Sequence, residues 1–176
     1  TAPAEGKSLT SINMAIALAQ DVNTWVYLVD LDLQRPKVSE YLGLSADLGL
    51  GDYLSGKAGL GDVLYDVGID RLSVLPNVSP SIDSSELLTS PKMAELVAEL
   101  QAEKPRRIVI FDMPPLTLSD DVLGFAPSLD AMLLVVSEGM TERSALEGVK
   151  DLLSDVELLG VVLNRSRDRN DTAYYY

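Results

Sequence analysis

Five short apolar runs recur along the chain, and helical periodicity fills the intervals between them. They are Trp25 to Val29 (WVYLV), Leu72 to Leu75, Arg107 to Phe111, Ala131 to Val136 and Leu158 to Leu163. A strand with one wet face alternates apolar and polar residues, whereas a strand apolar throughout is covered on both faces. Helices must then lie on both faces of a mostly parallel sheet, which is the doubly wound α/β architecture. The intervals agree. Ser8 to Gln20 carries Ile12, Met14, Ala15, Ile16, Leu18 and Ala19 at helical spacing, and Arg35 to Leu44 and Leu60 to Val67 read as short helices around a Gly-rich stretch. Pro91 sits at a first helical position behind a capping Ser90, and Met93, Leu96, Val97 and Leu100 make one face of a helix to about Glu103. A short helix is expected near Asp120 to Phe125 and a longer one over Thr141 to Ser154. Asn77 to Ser90, rich in Ser and Pro, reads as a surface loop. With 176 residues the chain suits one domain, expected over residues 1–163, with a flexible tail over 164–176 that has lost apolar periodicity.

Composition removes several kinds of chemistry. No apolar run approaches the roughly 18 to 20 residues that span a bilayer, and no signal-peptide pattern opens the sequence, so a soluble protein is expected. The absence of Cys excludes a disulfide framework, a thiolate metal site and a cysteine nucleophile. The absence of His leaves proton transfer to carboxylates, Lys or Tyr. A formal charge of −13 repels nucleic acid and anionic lipid. A phosphate ligand must be drawn by a local site.

Such a site is written at three places. Gly6-Lys7-Ser8 opens the first helix after a Pro-containing turn, where backbone N–H groups can wrap phosphates against a helix N-terminus. Lys7 would reach the β/γ oxygens and Ser8 would ligate Mg²⁺. A phosphate loop hangs from the end of a buried strand, so a further strand is expected ahead of Thr1. WVYLV ends at Asp30 and continues to Asp32; if strand geometry persists, the two carboxylates face the same way. RIVIF ends at Asp112. Carboxylates at the ends of two apolar strands, beside Gly-Lys-Ser, are what a metal-phosphate site requires.

TAPAEGKS, VYLVDLDLQRP and IVIFDMPP resemble the Walker A, Walker A′ and Walker B motifs of the bacterial tyrosine kinases, the polysaccharide-associated autokinases of the P-loop NTPase fold. The resemblance extends through GLGDYLSG, ELLTSPKM, VVLNR and the tyrosine tail. It implies that Glu5, Gly6, Lys7, Ser8 and Leu9 hold ATP, that Asp32 and Asp112 hold the water shell of Mg²⁺, and that Asp30 is the base for a tyrosine hydroxyl. Asn164 resembles the residue that reads the adenine edge. The resemblance further implies a ring-like homo-oligomer with each tail in a neighbour's site, a membrane-anchored activator of a polysaccharide export system, and a place at the inner face of the membrane through that partner. Two positions depart from the family pattern: Gln34 precedes Arg35 where the family often has Arg one place earlier, and Met113 stands where a small hydroxyl residue is usual.

Three of the seven tyrosines, Tyr174, Tyr175 and Tyr176, end the chain in a polar segment, where accessible hydroxyls make good phosphoacceptors. Tyr27, Tyr41, Tyr53, Tyr65, Phe111 and Phe125 read as core or helix-face residues. The leading expectation is an ATP-dependent tyrosine autokinase modifying its tail in trans. A nucleotide-switch ATPase of the partitioning or division-site type carries a second lysine early in the phosphate loop, where this chain has Thr1, Ala2, Pro3 and Ala4. A non-catalytic ATP-binding regulator of polysaccharide export is the third reading.

Overall fold

The computed structural model describes residues 3–81, 84–101, 106–116, 121–143 and 156–166. The five apolar runs become strands β1 (Thr24–Asp30), β3 (Leu72–Leu75), β4 (Arg106–Asp112), β5 (Ala131–Ser137) and β6 (Glu157–Asn164). A sixth, β2 (Tyr65–Asp66), falls where the sequence predicts the end of a helix, because the helix α4 stops at Val63 (Leu60–Val63). β2 is antiparallel to β3 at the edge; β3–β1, β1–β4 and β5–β6 are parallel. The mostly parallel α/β reading therefore stands, with an antiparallel edge that the apolar runs do not announce.

The helices are α1 (Lys7–Leu18), α2 (Val38–Leu42), α3 (Leu50–Leu54), α4, α5 (Ser84–Leu88), α6 (Pro91–Gln101) and α7 (Asp121–Phe125). Ser90 caps α6 as expected, its Oγ accepting from Met93 N at 3.2 Å. α5 corrects the surface-loop reading of Asn77 to Ser90: Asn77, Ser84 and Leu88 are buried, and Asn77 Nδ2 donates to the Ser79 carbonyl at 2.9 Å. The helix expected over Thr141 to Ser154 lies mostly outside the described residues, as do Tyr174, Tyr175 and Tyr176.

One side of the main sheet packs α3, α4, α5, α6 and α7 against β1, β3 and β4 through Leu50, Tyr53, Leu75, Met93, Leu96 and Phe125. The other packs α1 and α2 through Ile12, Ala15, Val26, Leu28, Val38 and Val74. The described strands form two sheets, β2-β3-β1-β4 and β5-β6. Between β4 and β5 lies an apolar slot of about 470 Å³, lined by residues that include Ile108, Ile110, Leu133 and Val135 and, from α1, Met14 and Leu18. The strand expected ahead of Thr1 lies outside this chain. No helix among the described residues is long and apolar enough to cross a membrane.

Candidate nucleotide site

The register of β1 on β4 sets Asp30 beside Asp112, so two buried carboxylates end neighbouring parallel strands at the carboxyl edge of the sheet. α1 begins at the same edge. Gly6 precedes it at φ 87°, and a Cβ there would lie 2.2 Å from Asn164 Nδ2, so only glycine satisfies both the backbone and the space. A pocket of about 500 Å³ opens in front, lined by residues that include Gly6, Lys7, Ser8, Asp32, Arg35 and Pro114.

The two carboxylates of the Asp30-Leu31-Asp32 segment part company. Asp30 is fully buried; its Oδ1 accepts from Asp32 N at 3.2 Å and its Oδ2 from Lys37 N and Val38 N, each at 3.1 Å. It organises the turn into α2. Asp32 is half-buried on the pocket wall, with Oδ1 accepting from Arg35 N at 2.9 Å. The expectation that both face the same way fails because β1 ends at Asp30, so strand alternation no longer governs residue 32. In this conformation Asp32 is the carboxylate presented to a substrate.

Asp112 is buried, and Ser11 Oγ donates to its Oδ1 at 3.0 Å, while Oδ2 meets no hydrogen-bond donor. Burial pushes its carboxyl up, against the opposing pull of the Ser8 and Ser11 hydroxyls, while Asp32 adds to the upward push and Lys7 opposes it. A buried carboxylate oxygen without a donor beside Ser8 and Lys7 fits a hard cation. Among the described residues no three acidic side chains converge to hold a metal alone, which suits Mg²⁺, an ion that keeps waters and shares its ligands with phosphates. Burial also lowers the Lys7 ammonium, and Glu5, Asp112 and Asp32 pull it back up.

Burial, with Asp112 alongside, pushes Asp30 up to about 7 despite its three backbone donors. A carboxyl raised on folding holds its proton in the native state where the unfolded chain has lost it. Its stabilising contribution is complete below about pH 4 and is lost as pH rises through about 7, an effect on the order of 4 kcal/mol for this group alone. Thermal melts of ligand-free protein should show that loss, and Asp30→Asn should flatten it; a wild-type profile that is level or rising over that window would contradict the assignment.

The remaining expected residues fall at or near this site. Asn164 ends β6 and donates from Nδ2 to the Glu5 carbonyl at 2.9 Å, so in this conformation its amide serves the loop. Asn164 is the last residue of β6, and Arg165 Nη2 donates to the Ala4 carbonyl at 2.7 Å. Leu9 is exposed, and Glu5 is fully buried. Sequence reasoning missed Ser11, three residues beyond Ser8 on α1, and Arg165, directly after Asn164; helical spacing gave the first, nothing the second. Tyr41, read as a core or helix-face residue, is 56% exposed on the pocket rim. Of the departures, Gln34 lines the pocket while its amide donates to Ser84 Oγ at 3.1 Å, and Met113 packs against the core.

Residues 4–176 match the family model described as the CobQ/CobB/MinD/ParA nucleotide-binding domain. The tyrosine-protein kinase YwqD of Bacillus subtilis is 32% identical over 176 residues, 99% of this chain and 73% of that protein. The crystal structure of the VpsO kinase domain superposes with a TM-score of 0.84 at 31% identity, covering 93% of this chain and 80% of that one. The kinase domain of the Escherichia coli tyrosine kinase ETK gives 0.86 at 28% identity, covering 99% and 68%. With the glycine-opened loop, the strand-end carboxylates and these likenesses together, the chain belongs to the CobQ/CobB/MinD/ParA nucleotide-binding domains and, within them, to the bacterial tyrosine kinases.

Proposed function

We propose that the protein transfers the γ-phosphate of ATP to tyrosine hydroxyls, including Tyr174, Tyr175 and Tyr176 of a second copy's tail. The observation that carries this reading is the buried, donorless Asp112 Oδ2 beside Lys7 and Ser8, with Asp32 on the open wall. Ser8, Asp32 and Asp112 would hold Mg²⁺, directly or through its waters, and the ion, when bound, would neutralise charge on the β- and γ-phosphates. Glu5 to Leu9 supply the backbone of the loop, and Lys7 adds a point charge for the terminal phosphates. The tyrosine oxygen attacks phosphorus, the bond to the β-bridging oxygen breaks, ADP departs, and the phenolic proton passes to Asp32 in place of the expected Asp30, whose two oxygens are taken up by backbone N–H groups. Asp30 keeps the loop that carries Asp32 in place.

Around this chemistry we place a C-terminal acceptor tail on a kinase body, a ring-like homo-oligomer delivering each tail to a neighbour, and a membrane-anchored activator that holds the kinase at the inner face of the membrane for polysaccharide synthesis and export. The acidic surface supports protein rather than nucleic-acid partners. A mixing experiment tests the trans step. A Lys7→Met protein with its tail intact is incubated with Mg-ATP and an active partner whose three tail tyrosines are Phe. Mass spectrometry should find phosphate on Tyr174, Tyr175 or Tyr176 of the Lys7→Met chain. ATP hydrolysis without phosphotyrosine on either chain would favour the nucleotide-switch reading instead.

A further inference from the structure

Glu5 places a carboxylate in the loop that has to receive a polyanion, and phosphate binding alone gives that side chain no task. It is fully buried and absent from the pocket wall. Thr141 Oγ1 donates to Glu5 Oε1 and accepts from Ser137 N at 2.8 Å, so the hydroxyl works in both directions between the end of β5 and the loop. From the end of β6, Asn164 Nδ2 reaches the Glu5 carbonyl at 2.9 Å and Arg165 Nη2 the Ala4 carbonyl at 2.7 Å. Ala4 and Arg165 both sit in left-handed backbone, at φ 60° and 56°, although neither is glycine. Such conformations persist where the surroundings over-determine them, and they cluster at functional sites.

We infer that Thr141, acting through the Glu5 carboxylate, is a positioning residue that holds the phosphate loop in its receiving shape, with Asn164 and Arg165 as the second arm of the same brace. The geometry accounts for the acid in the loop. Turned inward onto Thr141, the carboxylate points away from the incoming phosphates and fixes the chain two residues ahead of Lys7. A loop ordered before the ligand arrives does not lose that freedom on binding. The brace also joins β5 and β6 to the loop, so strands that supply no phosphate ligand still set phosphate affinity.

The inference rests on the nucleotide reading of this loop, and the test separates the two. ATP affinity is measured by calorimetry and adenosine affinity by NMR titration, for wild type, Thr141→Val and Thr141→Ser. Thr141→Val should bind ATP about tenfold more weakly, the loss of one hydrogen bond to a charged group, with adenosine affinity unchanged. Thr141→Ser keeps the hydroxyl in place and should stay within about threefold of wild type. A Thr141→Val protein that binds ATP as wild type does, or that loses adenosine in equal measure, overturns the positioning role while leaving the nucleotide site. Wild-type protein that binds no ATP removes the nucleotide reading itself.

Discussion

Lys7→Met is expected to weaken ATP binding by roughly a hundredfold, the worth of a charged hydrogen bond to phosphate, and to reduce turnover further. Lys7 is the first residue of α1 and lies on the wall of the pocket, where its ammonium is partly desolvated and surrounded by Glu5, Asp112 and Asp32. Methionine keeps the length of the stem, so circular dichroism and the melting transition should stay close to wild type while calorimetry reports the lost affinity. Unchanged affinity would remove Lys7 from the phosphates, and the loop assignment with it.

Asp112→Asn should move stability and catalysis in opposite directions. In ligand-free protein the aspartate is a buried carboxyl pushed up by burial, with one oxygen lacking a donor. A neutral amide of the same shape removes that penalty while its carbonyl can still accept from Ser11. A gain of about 1 kcal/mol, which raises the melting temperature by roughly 2–4 °C in a chain of this size, is the expected outcome. Turnover should fall by roughly a thousandfold, on the order of removing a preorganised charge at the reacting centre. ATP affinity should drop when Mg²⁺ is present and stay level when it is chelated. An equal loss with and without Mg²⁺ would show that the carboxylate does not act through the ion.

Both variants follow from features that a single sequence displays, and the limits of that display are instructive. The long strands were legible because burial on two faces forces apolar runs; β2 was not, since Tyr65 and Asp66 form an edge that needs no such run. α3 was hidden by glycines on either side of its start, where Asp52 rather than a strong helix former secures the turn, accepting from Gly49 N at 3.0 Å. α5 was hidden by serines that ordinarily mark loops, although Ser84 is buried. The strand-end carboxylates were legible as a set, yet the division of labour between Asp30 and Asp32 was not. It depends on which residue ends the strand, and a shift of two residues decides whether a carboxylate turns to the backbone or to the pocket. Thr141 and Arg165 reach the loop from more than 130 positions away, a distance that no local pattern encodes.

The bonds that reach the phosphate loop from the ends of β5 and β6 give it a mechanical character. Those from Thr141, Asn164 and Arg165 converge on residues 4 and 5, which sit directly ahead of α1. The loop is thus a strap pulled from one side as well as a cradle for an anion. Tension and occupancy become one variable: a partner that levers the end of β6 outward pulls on the backbone next to the atoms that would grip the phosphates, and a ligand that stiffens the cradle resists that pull.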